Sequence, residues 1–466
     1  MTATEAAQRD AASRNDELID AALIRGWLAW GLGWLLFFPT LGAFISTKFN
    51  YPEFLGDTAW LTFGRLRPMH VNGVIWGAFS TLFIGLCYYI VPRLTGVRVW
   101  GERWSRSVLW IWNLNQAAIV VLLALGWNRG WEAGEFPLIN VVVTFVALSF
   151  LTLQFLMTIK QRRDRPLYVS LWYLIAAFVW TDVNLILLVL GPSHIPGINN
   201  AAWHGLFIHY VVGLWITPAG YVLIYYFLPA SVKNPIYSHR LSLIGFWSLA
   251  FFYPFVGIHH YLYSPIADWA ETIAIVSSMM LIIPVWTVLQ NFFGTMIGRW
   301  PEFSGNLPTK FLIVGSLMYL VGCFQGSMEA LRSVQQPTHF TDFVISHSHL
   351  TIFGTFVVWA IAGTVYVWPR LAGDAPLWSF RAANWGFWLV TLGIAAMALV
   401  LAAQGLQQGF MLMAGTEWVH SINAIRPYWW VRSLTGIAMA VGVSLLVYTL
   451  MKTSLAAAGT TSPGTR

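Results

Sequence analysis

The chain has 466 residues, of which 57% are apolar, 10% charged and 16% aromatic, with 27 Trp, 31 Phe and 17 Tyr. A water-soluble domain of that composition would expose large apolar patches, so the sequence reads as an integral membrane protein. The net charge of +7 does not point to nucleic acid, because the basic residues are dispersed through short loops.

The first 25 residues are polar and mixed in charge, with no signal-peptide pattern. Apolar runs of roughly 20 residues, the length a helix needs to cross about 30 Å of hydrocarbon, predict helices over 26–47, 68–91, 107–127, 138–160, 167–191, 204–228, 241–263, 270–293, 311–331, 345–368, 384–405 and 430–452. The expected architecture is all-α: a cytoplasmic N-terminal segment (1–25), a twelve-helix membrane domain (26–452) and a flexible cytoplasmic tail (453–466). Of the 26 Lys and Arg, 19 lie in the terminal segments and the loops after even-numbered helices; the other seven are Lys48, Arg65, Arg67, Arg129, Arg332, Arg426 and Arg432. Both termini are therefore expected in the cytoplasm. Cys87 and Cys323 both sit in apolar stretches, which argues against a disulfide framework, and no Cys-x-x-Cys-His occurs to tether a haem.

Seven of the eleven histidines fall in or at the ends of the apolar runs: His70, His204, His209, His259, His260, His347 and His349. An unpaired polar ring there costs several kcal/mol. In the expected topology all seven lie in the outer part of the membrane. One buried histidine is usually a hydrogen-bonded core residue, but seven at a common depth on four segments point to metal ligation. His347 and His349 are two positions apart on a helix and so point about 200° from each other. They cannot share a metal, but can serve two metals on opposite flanks. His259 and His260, adjacent at a helix end, can converge on one ion, and a third histidine would leave a coordination position open.

Several motifs together carry a family resemblance. Gly64-Arg-Leu-Arg-Pro-Met-His70, the His209…Gly213…Thr217 segment leading to Tyr225-Tyr226, Tyr237-Ser-His-Arg-Leu241, Tyr253…Gly257-Ile-His-His260 and Thr341-Asp-Phe…His347-Ser-His349 occur in this order between Tyr51 and Thr453. They resemble the catalytic subunit I of C-family haem–copper oxidases, the cbb(3)-type cytochrome c oxidases. The resemblance implies an enzyme of the bacterial inner membrane that reduces O2 to water with electrons from cytochrome c, coupled to proton uptake and translocation. It implies two b haems and one copper: His70 and His349 as axial ligands of a low-spin haem b, His347 as proximal ligand of a high-spin haem b, and His209, His259 and His260 on copper. Tyr253 would supply a proton and an electron at O–O cleavage, joined covalently to His209. A polar file of Tyr225, Ser242, Ser248, Asn291 and Thr295 would carry protons inward. Arg65, Arg67, Arg432 and His339 would meet haem propionates, and Glu135, with Glu132 as the alternative, would help hold a calcium ion. The electron donors implied are membrane-anchored mono-haem and di-haem c subunits, beside the chain in the lipid bilayer.

One departure stands out. Where cbb(3)-type subunits carry a glutamate in Phe-Glu-Gly-Pro, this chain reads Phe324-Gln-Gly-Ser327, so Gln325 cannot ionise, and Glu329 lies one turn further on. The alternative within the superfamily is a nitric oxide reductase, converting two NO to N2O at haem b and non-haem iron. Cytochrome-c-linked members of that group carry a glutamate four residues after the helix-six histidine and lack the tyrosine; here those positions hold Gly213 and Tyr253. A twelve-helix transporter would explain the hydropathy but not six matched histidines.

Overall fold

The computed structural model describes residues 17–163 and 166–461. Residues 1–16 of the expected N-terminal segment and 462–466 of the expected tail lie outside the described residues. Twelve helices are each long and apolar enough to cross a bilayer: α1 (Ala21–Asn50), α2 (Phe63–Thr95), α3 (Glu102–Ala124), α4 (Leu138–Lys160), α5 (Val169–His194), α6 (Gly197–Val232), α7 (His239–Tyr261), α8 (Asp268–Thr295), α9 (Leu307–Glu329), α10 (Asp342–Leu371), α11 (Phe380–Met413) and α12 (Trp418–Ala458). No strand occurs among the described residues.

Several helices outrun the apolar stretches that predict them. Asp20 caps α1, its Oδ1 accepting from the backbone N–H of Ala22 and Leu23, both at 3.0 Å. α6 opens at Gly197 and not 204, and α12 opens at Trp418 and not 430. The last helix also continues to Thr461, so the tail expected from 453 is helical over 453–461. Hydropathy marks the hydrocarbon-facing stretch; the helical hydrogen bonding carries on into the zone where Trp, Tyr and Arg are at home.

Burial divides the bundle. The apolar window of α2 is 100% buried and those of α6 and α10 are 89% buried, against 33% to 61% for the other nine helices. α2, α6 and α10 are therefore the central helices. These three also share a backbone feature, a π-helical stretch at Gly73–Phe79, Val211–Ile216 and His349–Val357. Side chains register it: Ser80, Thr217 and Thr355 each donate to the carbonyl five residues back, Ile75, Val212 and Leu350. Each wider turn inserts an extra residue and rotates the remainder of the helix about its axis. In each helix it begins at or just after a singled-out histidine: His70, His209 or His349.

Large and small residues interlock these helices. The Phe38 ring of α1 lies across α2 where a Cβ at Gly73 or Gly77 would stand 2.1 or 2.5 Å from it. Buried tryptophans tie neighbours with their indole N–H: Trp215 to Ser80 Oγ at 2.8 Å, Trp359 to Leu312 O at 3.1 Å, and Trp368 to Leu450 O at 2.9 Å.

Candidate metal centre

The geometry around His70 (α2) and His349 (α10) begins with their Nδ1 atoms. His70 Nδ1 lies 2.8 Å from Phe38 O, and His349 Nδ1 lies 2.9 Å from Ile345 O. A carbonyl only accepts, so both Nδ1 atoms carry the proton and both Nε2 lone pairs are free for a metal. The two rings are nearly parallel, 21° apart, with centroids separated by 6.3 Å. That is too far for ring contact. Two imidazoles at that separation, each with Nε2 unprotonated, would be able to hold a haem between α2 and α10. The donor set and the gap fit a haem.

His347 lies two residues before His349, and its ring packs against α9: a Cβ at Gly326 would stand 2.5 Å from His347 Cε1. The two histidines of α10 thus serve different neighbours, His349 toward α2 and His347 toward α9. Gln325, beside Gly326, donates its amide to Phe343 O and Ser346 Oγ of α10, each at 3.4 Å.

His209 on α6 meets His259 and His260 on α7. One ring nitrogen of each lies within 4.8 Å of the others, and His209 Nε2 is 2.8 Å from His259 Nε2. Over Tyr253–Tyr261, α7 tightens into a 3-10 helix. At three residues per turn, Tyr253 lies two full turns before His259, on the same face. The second anchor is Ser278 of α8. Its hydroxyl donates to Ala274 O at 2.7 Å and so accepts from His259 Nδ1, also at 2.7 Å, which leaves His259 Nε2 as a lone pair turned to the cluster. His209 Nδ1 is buried with no hydrogen-bond partner. Three clustered ring nitrogens, with that of His259 fixed as a lone pair by Ser278, fit a three-nitrogen copper site.

Tyr253 completes this group. Its ring centroid is 5.6 Å from that of His209, and it lies directly on the α6 backbone: a Cβ at Gly213 would stand 1.6 Å from Tyr253 Cε1. Only glycine permits this tyrosine at this place.

The expected proton file is partly assembled. Asn291 Nδ2 donates to Ser242 Oγ at 2.8 Å and to Tyr225 OH at 3.3 Å, and Thr295 Oγ1 donates to Asn291 O at 2.8 Å. The bond from Thr295 goes to a carbonyl of its own helix, and Ser248 likewise donates to Ile244 O and Gly245 O of its own helix, so the side chains joined to one another are Asn291, Ser242 and Tyr225. The expected file does not include Tyr221 and Tyr319, whose hydroxyls share a short hydrogen bond between α6 and α9, with Tyr221 edge-on to Tyr173. Both tyrosines lie in apolar runs, and nothing in the sequence says which helix each one faces.

At the outer helix ends, Arg65 donates to Ala124 O at 2.9 Å and closes α3, while Arg67 pairs with Glu132. Arg432 pairs with Asp342 at 3.5 Å and lies over the Phe49 ring. His339 stacks on Phe340. Glu135 is buried and accepts from Asn72 Nδ2 at 2.6 Å; burial pushes its carboxyl up to about 7. Of the two acidic residues weighed for calcium, Glu132 is thus engaged by a cation and Glu135 by an amide.

Comparison with known proteins adds to this geometry. Residues 22–438 match the family described as cytochrome c and quinol oxidase polypeptide I. The chain is 30% identical over 471 residues to a cytochrome c oxidase subunit 1 homolog of Agrobacterium tumefaciens (strain T37), covering 95% of this chain and 85% of that one. It is 29% identical over 439 residues to a cbb3-type cytochrome c oxidase subunit of Stutzerimonas stutzeri, covering 90% and 91%. Its fold is like that of a heme-copper terminal oxidase dimer solved by cryo-EM, with a TM-score of 0.77 at 14% identity, over 96% of this chain and 85% of that one.

Proposed function

The chain belongs to the cytochrome c and quinol oxidase polypeptide I family, and from that premise we propose that it is the catalytic subunit of a cbb(3)-type cytochrome c oxidase, reducing O2 to water. When bound, haem and copper supply single electrons and an open position for O2. In this reading two b haems are held, one by His70 and His349 and one by His347, and copper is held by His209, His259 and His260. The chain's own contribution is to orient these rings, by Phe38 O, Ile345 O and Ser278 Oγ, and to bring protons and one electron to the reacting oxygen.

Tyr253 carries that last task. Its phenol stands beside His209, and as the O–O bond breaks it gives up a proton and an electron together. Protons enter through Thr295, Asn291, Ser242 and Tyr225, and Tyr221 with Tyr319 bridge from there toward Tyr253. The enzyme works as a multi-pass protein of the bacterial inner membrane with both termini cytoplasmic. It receives electrons from cytochrome c through membrane-anchored haem c subunits, since the chain has no haem c motif of its own.

The observation that favours oxygen over nitric oxide is the overlap at Gly213. A carboxylate-bearing side chain four residues after His209 and the Tyr253 ring would occupy the same space, so this chain is built for the tyrosine. Tyr253→Phe tests it. Haem content should stay near the wild-type level while steady-state O2 reduction falls by orders of magnitude, and a denaturing digest of the wild type should contain a joined Tyr253–His209 peptide pair. Nitric oxide reduction, which takes two electrons, should suffer less. Full oxygen turnover in the variant, or two free peptides in the wild type, would favour the nitric oxide reductase.

A further inference from the structure

His204 is the one histidine of the seven that the proposed function leaves without a task. It lies one turn and a half before His209 on α6, and both of its ring nitrogens are engaged. Nε2 accepts the backbone N–H of Glu132 at 3.0 Å. Nδ1 therefore carries the proton, and it donates to the hydroxyl of Tyr261 at 2.9 Å. The ring also lies against Trp131, centroids 5.7 Å apart. A histidine so bonded is a fixed strut between the loop preceding α4 and the end of α7.

What it grips is the turn carrying two of the three clustered histidines. Tyr261 directly follows His260. His259 has a side-chain anchor in Ser278, but no hydrogen bond to the ring of His260 is found among the described residues, so its orientation depends on the backbone that bears it. That backbone is held close to α6. A Cβ at Gly205 would stand 2.8 Å from Gly257 O and 2.8 Å from Tyr261 Cε2, and a Cβ at Gly257 would stand 2.5 Å from Gly205 O. On its other side Gln335 Nε2 donates to His259 O at 3.0 Å.

We infer that His204 is a positioning residue for the metal triad: through Tyr261 it fixes the 3-10 turn so that His260 points at the site shared with His209 and His259. The inference rests on the triad holding a metal, as proposed above. Ligand-orienting partners of this kind are worth about 10- to 100-fold in metal affinity.

The test uses the purified complex and compares the wild type with His204→Phe, Tyr261→Phe, the double variant and His204→Gln. Two quantities are read: the triad metal retained per haem across a chelator series, and the infrared stretch of carbon monoxide bound to that metal after photolysis from haem. His204→Phe and Tyr261→Phe should each lose metal at roughly 10- to 100-fold lower chelator and broaden or shift the band. The double variant should be no worse than the worse single one, because both remove the same hydrogen bond. His204→Gln, which keeps an acceptor and a donor, should recover part of the retention. Unchanged low-spin haem spectra report that a variant is folded, and if His204→Phe does not assemble, Tyr261→Phe, which loses only a hydroxyl, decides. Additive losses, or wild-type retention and band shape in both single variants, would overturn the role. Should the wild-type triad hold iron in place of copper, the oxidase reading fails while the same comparison still judges His204; a wild type with no metal besides haem iron overturns both.

Discussion

His70 and His349 are pinned through Nδ1 to main-chain carbonyls and face each other across a 6.3 Å gap between centroids. His209, His259 and His260 instead crowd together, two Nε2 atoms 2.8 Å apart, and one of them is turned by a serine side chain. The first arrangement is dictated by how far apart α2 and α10 are packed, so its gap admits a flat ligand that spans between helices. The second depends on convergence of side chains, which suits a single ion. A centre anchored to carbonyls has no supporting side chain to lose, whereas one anchored to hydroxyls can be weakened one residue at a time.

The largest effect should come from deleting a ligand on the carbonyl-anchored side. His70→Ala should abolish the low-spin haem bands while a carbon-monoxide-binding haem remains, because the two cofactors take different ligands from α10; visible spectra with and without carbon monoxide read both. Truncating His347 should give the converse. Both haems persisting unchanged in His70→Ala would remove the basis of the comparison. Next comes the side-chain anchor. Ser278→Ala takes away the acceptor for His259 Nδ1 and should lower metal retention by about 10- to 100-fold with the haem spectra intact, measured by metal analysis against a chelator.

A smaller effect concerns the loop behind His70. Asn72, two residues on, donates to Glu135, whose carboxyl is raised by burial to about 7 from its ordinary 4.5. The folded state then keeps a proton that the unfolded chain has already released, so stability should fall as pH rises from about 4.5 to about 7 and level off above. The whole change is on the order of 3 kcal/mol. Thermal unfolding midpoints in chelator across that range should show the slope, and Glu135→Gln should flatten it. A cation bound by Glu135 would favour the ionised form, so added calcium should counter the slope.

The smallest effect is expected at Gln325. Its amide donates to Phe343 O and to Ser346 Oγ, and that hydroxyl already donates to Ala398 O at 2.7 Å. Gln325→Glu therefore meets two acceptors and keeps a bond only while protonated. The reduction potential of the carbon-monoxide-binding haem should match the wild type at low pH and drop below it at high pH, as the new charge appears beside His347. A potential that tracks the wild type across the titration would place Gln325 out of electrical contact with that haem.

The twelve spans were legible because a crossing helix must be apolar for about 20 residues whatever its neighbours, and the histidines because nothing apolar explains them. The pairing of His70 with His349, and of His209 with His259 and His260, was reached through family likeness, since spacing along one helix cannot say which other helix it faces. The π turns were not legible at all. Ser80, Thr217 and Thr355 look like any helical hydroxyl in sequence, and whether such a group bonds four or five residues back depends on the packing of the surrounding helices. Ser278 was equally hidden, one of many small polar residues in an apolar run, as was the split of Ser248 and Thr295 from their expected companions.

The overlap between Gly213 and the Tyr253 ring also limits the order in which substitutions can accumulate. A side chain of any size at 213 is blocked while the tyrosine is in place, and under the proposed function losing the tyrosine first would cost the oxygen chemistry. The constraint runs one way: a smaller residue at 253 is compatible with Gly213, whereas a side chain at 213 is expected only where the tyrosine at 253 is already gone. For laboratory evolution the practical meaning is that a library randomised at 213 alone will return almost only glycine, and that both codons have to be varied in the same clone.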